Sequence, residues 1–246
     1  MVGCSNDSSL GPSTNQAITL SQLLSEMSLP ALSGVASTLS PAAAASAATP
    51  VPSTCSYNAS SQSFICPTVV TANGLTVTQS YILLEASGKP QSQFDPSTTA
   101  AIRTAMSAAG TLTFTGSTSG TLTIAQQQDM TLSGLLTNTH MLNGLSTVHI
   151  SGAISTGSTT TPGNSTLTMT TTNLVMPPMN GDATAWPTSG TLTEDNTSGD
   201  PRSPAPSTHL IMTFNGTSQV AVVITIGTKT QQCTIDLAKI SALACT

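Results

Sequence analysis

Charge is what this sequence has least of. Lys, Arg, Asp and Glu together make up 6% of its 246 residues, against about 25% in an ordinary soluble domain. Ser, Thr, Ala and Gly fill much of the difference, so the surface they form is polar but barely ionic. Five basic residues against ten acidic ones leave a net charge of −5. No basic stripe can be drawn from so few cations, and nucleic acid is not an expected partner. Aromatic residues are also scarce, at 3%, so a core has to be built mainly from Leu, Ile, Val and Met. The longest apolar runs, such as residues 220–226, fall far short of the roughly 20 residues that a membrane helix needs. Signature motifs are missing as well: there is no G-x-S-x-G elbow, no H-E-x-x-H, no phosphate loop and no dinucleotide fingerprint. The expectation is a protein without a catalytic centre, a cofactor or a metal site.

What the chain does have is Thr alternating with apolar residues. The segments TLTFT at 111–115, TLTI at 121–124, TVHIS at 147–151 and TLTMT at 166–170 have the period of two expected of strands with one buried face. A loop over 116–120 pairs Phe114 with Leu122 and Leu112 with Ile124, all on one face. Gly227-Thr228 suits a type II′ turn that sets Val222 opposite Cys233 and Val220 opposite Ile235. Asn215-Gly216 poses a conflict: a two-residue turn there sets Met212 against Gln219, whereas the apolar faces require Met212 opposite Val220. A three-residue loop or a bulge resolves it. The recurrent Gly-Thr-Leu-Thr at 110, 120 and 190 reads as a strand-entry motif without a fixed repeat period. Gly- and Pro-rich stretches at 157–164, 177–187 and 197–206 read as loops.

Helical patterning is confined to a few places. Ile18, Leu20, Leu23, Leu24 and Met27 form an apolar stripe that predicts a helix over residues 17–29, ending before Pro30. Residues 31–54 are rich in Ala, Ser and Pro and read as a linker. Asp95-Pro96 is a suitable opening for a short helix over 97–108. The predicted fold is mainly β: a large twisted antiparallel sheet or open barrel with one amino-terminal helix packed on it. The expected organisation is a tether over 1–16, a helix and linker over 17–54 and a β domain over 55–246.

Five cysteines are present. Val2-Gly3-Cys4 resembles the cleavage region of a bacterial lipoprotein, in which a small residue precedes a cysteine that receives lipid, although Met1 stands where that signal usually carries Leu. The polar stretch from Ser5 to Gln16 suits a spacer between anchor and body. The resemblance implies lipidation at Cys4, a membrane partner through that lipid, and a location at the bacterial outer membrane or cell surface. The remaining four cysteines form two local pairs without zinc-site or redox spacing. Disulfides Cys55–Cys66 and Cys233–Cys245 are expected. The first sets Tyr57 opposite Phe64 in a hairpin, with residues 59–62 as its turn. The second fits either a strand, with Ile235 opposite Leu243, or a short helix over 236–244.

His140, His149 and His209 sit in Thr-rich surroundings with no carboxylate or cysteine at motif spacing, and read as ordinary strand or loop positions. His149 falls in the Thr phase, which predicts exposure. The acidic stretch at 194–200 has oxygen ligands ahead of a glycine but carries Ala205 where a calcium loop needs its closing glutamate, so a solvated turn is expected. Met130, Met169 and Met212 fall in apolar phases and read as core. The acceptor sequences at Asn58, Asn164, Asn196 and Asn215 suit a glycosylated secreted protein, although Ser and Thr richness produces such matches freely. Two functions follow. One is a structural or adhesive lipid-anchored surface protein. The other is an envelope carrier of a hydrophobic small molecule, similar in outline to half-barrel lipoprotein carriers.

Overall fold

A computed structural model describes residues 51–71, 74–116, 118–137, 139–156, 158–176, 186–200, 203–204, 207–237 and 244–245. The expected helix over 17–29, the tether and most of the linker lie outside them. Among the described residues every regular element is a strand. In chain order they are β1 (Ser56–Asn58), β2 (Ser63–Ile65), β3 (Val69–Val70), β4 (Thr76–Glu85), β5 (Pro90–Gln91), β6 (Thr99–Phe114), β7 (Thr118–Ser133) and β8 (His140–Thr156). There follow β9 (Thr159–Met176), β10 (Ser189–Asp200), β11 (Ser203–Pro204), β12 (Thr208–Thr213), β13 (Gln219–Ile226), β14 (Lys229–Asp236) and β15 (Ala244–Cys245). They make one 15-stranded sheet in the order β1-β2-β4-β6-β7-β8-β9-β10-β12-β13-β14-β15, with β3 and β5 on β4 and β11 on β10. Among the described residues every pairing is antiparallel and the sheet does not close, in keeping with the expected large antiparallel sheet.

The central strands are long. β6 to β9 run for 16 to 18 residues, which at roughly 3.3 Å per residue makes them about 50–60 Å. Alternation gives the sheet one apolar face. Leu83, Ile102, Leu132, Leu142 and Leu174 stand opposite one another across five successive strands. On the carboxyl-terminal side Leu192, Met212, Val222 and Cys233 form a second such row. Leu83 and Val220 are fully buried, so this face is turned away from solvent. The other face carries hydroxyls that bond across strands, among them Thr78 with Ser107 at 2.8 Å, Thr111 with Thr123 at 3.3 Å and Thr225 with Thr230 at 3.0 Å.

Several expectations need correction. The helix over 97–108 is a strand: β6 pairs with β4 on one side and β7 on the other. Ala has high helix propensity, but two complete ladders outweigh it. Asp95-Pro96 opens a single turn, in which the Asp95 carboxylate accepts from Ser97 N–H at 2.8 Å and Ser97 Oγ at 2.6 Å. The β6–β7 hairpin pairs two residues away from the expected register, with Leu112 opposite Leu122 and Phe114 opposite Gly120. The faces are as expected and the register is not. The same holds at Asn215-Gly216, where Met212 faces Val222 rather than Val220. The loop is longer there because Phe214 and Gly216 donate their N–H groups back to Gly190 and Pro187. Residues 159–164 belong to β9 rather than to a loop. Pro162 is tolerated because β10 pairs β9 only as far as Ser165, leaving the far side of Pro162 without a ladder partner in β10. The loop over 197–206 contains the end of β10 and its pairing with β11. Gly110 lies inside β6, whereas Gly120 and Gly190 do stand near the starts of their strands.

The Gly227-Thr228 hairpin has the expected register, with Val222 opposite Cys233 and Val220 opposite Ile235. Gly227 has φ +59° while Thr228 keeps an ordinary φ, as a II′ turn requires. In β9 one extra residue sits between Thr171 and Leu174, facing Leu142 and Gly144 of β8. Asn173 takes φ +49° there and donates its N–H to the Asn143 side-chain oxygen, 2.6 Å away. This bulge lets Thr171 and Leu174, three positions apart, both face inward.

Candidate functional site

The two disulfides sit at the two ends of the strand order. Cys55 and Cys66 are bonded across the β1–β2 hairpin, whose register sets Tyr57 opposite Phe64 with ring centroids 5.2 Å apart in an edge-to-face arrangement. Asn58 Oδ1 shapes the turn by accepting from Ser60 N–H at 2.9 Å. Cys233 and Cys245 are bonded across β14 and β15, so the strand geometry applies at Cys245; Leu243 and most of the alternative helix lie outside the described residues. Both bridges rest on apolar clusters. Cys233 is part of the large cluster around Val220 and Val222, and Cys55 and Cys66 pack on the cluster of Val51, Tyr81, Leu83 and Ile102. Val51, expected in the linker, is thus a buried member of the core. Cys4 lies outside the described residues.

On the buried face the apolar surface is interrupted by polar side chains. Ser146, Thr171, Glu194 and Asn196 are all buried on the adjacent strands β8, β9 and β10. Ser146 and Glu194 flank Met169 in one cross-strand row, and Leu210 lies on the far side of Glu194. Asn196 Oδ1 accepts from Ser165 Oγ at 3.0 Å, which leaves this asparagine unsuited to glycosylation in the folded chain. Burial raises the Glu194 carboxyl to about 7, and the neighbouring Asp195 adds to the effect. The acidic stretch is therefore no solvated turn. It lies within β10, and alternation sends Glu194 and Asn196 inward and Asp195 outward, so its oxygens do not converge on a cation. The signal was available in the sequence, because Leu192, Glu194 and Asn196 share one phase of T-L-T-E-D-N.

The histidines take three different positions. His149 lies exposed on the hydroxyl face, its Nδ1 3.0 Å from Thr166 Oγ1, as its phase predicts. His209 is brought by the β10–β12 pairing opposite Asp195, with Nδ1 2.7 Å from Asp195 Oδ1. Sequence spacing does not reveal this partner, because it depends on the register of two strands. In the same row stand Thr168 and Thr225, on an open surface. His140 faces inward, and its buried Nδ1 has no hydrogen-bond partner. Arg103 grips Asp129 with two bonds on the exposed face, one of them from Nε at 2.8 Å; the guanidinium holds the Asp129 carboxyl below its ordinary value. Among the described residues no group of three or more His, Cys, Asp or Glu is placed to hold a metal ion.

No family model matches the chain, and no curated protein or solved structure does either. A functional reading therefore rests on the chain's own residues. Met130, Met169 and Met212 are buried, which is what core filling requires of them.

Proposed function

We propose that the protein is a non-catalytic, lipid-anchored component of a bacterial envelope with a structural or adhesive role at the surface. The observation that carries this reading is the pair of disulfides at the two ends of one open sheet. Disulfides persist in oxidising compartments outside the cytoplasm, and here they hold the elements a sheet loses first. Strands of up to 18 residues with a hydroxyl-rich, weakly charged outer face suit a surface that contacts other material through neutral hydrogen bonding. Val2-Gly3-Cys4 supplies the proposed attachment through lipid on Cys4. Intact-mass measurement of the native protein extracted from membranes tests it. The expected species begins at Cys4 and carries acyl chains; recovery of native chain with an unmodified Cys4 refutes the anchor.

A carrier of a hydrophobic molecule is the second reading. It is favoured by Ser146, Thr171, Glu194 and Asn196 among the methionines of the buried face, since binding sites for apolar ligands combine apolar walls with a few fixed polar groups. Native mass spectrometry of protein purified from its source distinguishes the two: a stoichiometric co-purified lipid favours the carrier, and its absence favours the structural role.

A further inference from the structure

Of the polar side chains that interrupt the buried face on β8, β9 and β10, Asn196 has a partner in Ser165. The other three do not. Among the described residues no hydrogen bond or ion pair reaches the side chain of Ser146, Thr171 or Glu194, although these residues are only 7%, 3% and 7% exposed. Buried polar groups are normally paired, so three together without partners call for an explanation. The one side-chain nitrogen or oxygen among the described residues that is both sealed off and unpaired is Nδ1 of His140. The oxygens of Ser146, Thr171 and Glu194 are therefore not sealed in, and each still borders space that a ligand group can reach. They also stand together. Ser146 and Glu194 flank Met169 from either side, and Thr171, inward-facing on the same strand as Met169, is the diagonal neighbour of both, about 7–8 Å away between Cα atoms. Gly144 faces Thr171 without a side chain, and Met130 Sδ lies where a Cβ of Gly144 would be, so thioether and aliphatic groups wall the trio.

Charge selects what this place takes. β8, β9, β10 and β12 contain no Lys or Arg. His149 and His209 lie on the opposite face, and His140 stands at the first position of β8. Glu194 is faced from the neighbouring strands by Met169 and Leu210, neither of which titrates, and the adjacent charge is Asp195, also acidic, whose side chain pairs with His209 on the outer face. The trio offers oxygen acceptors and no cation of its own. An anionic head would meet like charge here, whereas a cationic one supplies the partner that Glu194 lacks.

We propose, on the carrier reading of the protein, that Ser146, Thr171 and Glu194 bind the head of a hydrophobic amine: its ammonium donates to the Glu194 carboxylate and the two hydroxyl oxygens, and its alkyl body lies along Met130, Met169, Met212 and Leu210. Methionines suit such a wall, because their flexible side chains fit bodies of different shape. Burial holds the proton of the unliganded Glu194 carboxyl up to about 7; an incoming ammonium favours its release, and the two opposite charges are then buried as a pair rather than singly.

Isothermal titration calorimetry of the full chain with decylamine, decanol and decanoate tests this, each kept below its aggregation concentration. At pH 8.5 decylamine is expected to bind one per chain, at least about tenfold more tightly than decanol, with decanoate the weakest. An alkylammonium, like a lysine, keeps its proton between pH 6 and 8.5, whereas Glu194 takes one up as pH falls through about 7, so decylamine affinity drops about tenfold from pH 8.5 to pH 6. Glu194→Gln weakens decylamine at pH 8.5 at least about tenfold, removes the pH dependence and leaves decanol binding at the parent's level. Glu85→Gln, which removes a carboxylate at the end of β4, changes none of these. Decanol bound at one per chain with decylamine no tighter, or Glu194→Gln binding decylamine like the parent, overturns the assignment of an amine and leaves the carrier reading standing. If none of the three ligands binds at one per chain, both fall.

Discussion

Replacing Glu194 by Gln removes the one carboxyl among the described residues that is buried on the apolar face and holds its proton well above the ordinary range, and the consequence is calculable. The carboxyl titrates at about 7 when folded and near 4.5 otherwise. Below pH 4.5 both folded and unfolded chains carry the proton, and Glu194 contributes no pH-dependent difference. Between 4.5 and 7 the unfolded chain releases the proton while the folded chain keeps it, so stability falls as pH rises; above 7 the loss is complete. With 1.36 kcal/mol per unit, the gap amounts to about 3 kcal/mol. Gln has nearly the shape of the protonated acid and does not titrate. Glu194→Gln is therefore expected to match the parent in urea unfolding at pH 4 and to be about 3 kcal/mol more stable at pH 8.5. At a urea slope of roughly 2–3 kcal/mol per molar, the midpoint moves by about 1 M. The carboxyls of Asp95 and Asp129 are shifted downward and lose their stabilisation as pH falls, but both proteins share them and the difference cancels. A stability difference independent of pH between 4 and 8.5 would refute the reasoning, because it would place the Glu194 carboxyl in contact with water in the folded state.

Three further outcomes are expected. Non-reducing peptide mapping recovers Cys55 linked to Cys66 and Cys233 to Cys245, and replacing the second pair by Ser costs about 3 kcal/mol, the loop-closure value for a separation of 12 residues; a peptide joining Cys66 to Cys233 would contradict the strand order. Thr99→Val costs about 1–3 kcal/mol in thermal or urea unfolding, because the buried Thr99 hydroxyl donates to Gln91 Oε1 at 2.7 Å and accepts from Asp95 N–H at 3.0 Å, leaving both partners unsatisfied when it is lost. Gly190→Ala costs at least about 2 kcal/mol, since Gly190 has φ +104° and a methyl group there meets the backbone of Asn173 and Leu174; a variant as stable as the parent would show that the β9–β10 bulge relaxes freely.

Much of the sheet is legible in the sequence because its strands obey one simple rule. Where Thr alternates with Leu, Ile or Met, as in β7, β8 and β9, identity and facing of each residue follow directly. Registers are less legible. The faces of the β6–β7 and β12–β13 hairpins are right, yet both pairings differ from the sequence reading by two residues, because a shift of two preserves every face and only the loop decides between the alternatives. The Gly227 turn leaves no such freedom, and there the register follows. β6 is obscured at Ala100, Ala101, Ala105, Ala108 and Ala109, where a side chain too small to mark either phase leaves helix and strand equally plausible by pattern. The polar members of the buried face, Glu194 and Asn196, are hidden for the opposite reason: their composition suggests a turn while their phase places them in the core. The partner of His209 depends on long-range register alone and has no local signature.

An antiparallel sheet of this width removes its edges only by closing, and this one does not close among the described residues. Its end strands are very short, three residues in β1 and two in β15. Surface charge is the usual additional safeguard on a sheet edge, since a lysine on an edge strand discourages a second strand from docking. A chain with 6% charged residues has little of that safeguard to distribute. Each short end strand is instead bonded covalently to its neighbour, and each bridge rests on the core: Cys233 among Val220, Val222 and Ile235, Cys55 and Cys66 beside Tyr81 and Leu83. Opening a bridge would therefore free an end strand and uncover apolar side chains in the same event. β3 lies outside this arrangement. It is as short as β15 but has no disulfide and no charge, and its two valines remain exposed, so its shortness is what limits the docking of another strand along this stretch of the edge.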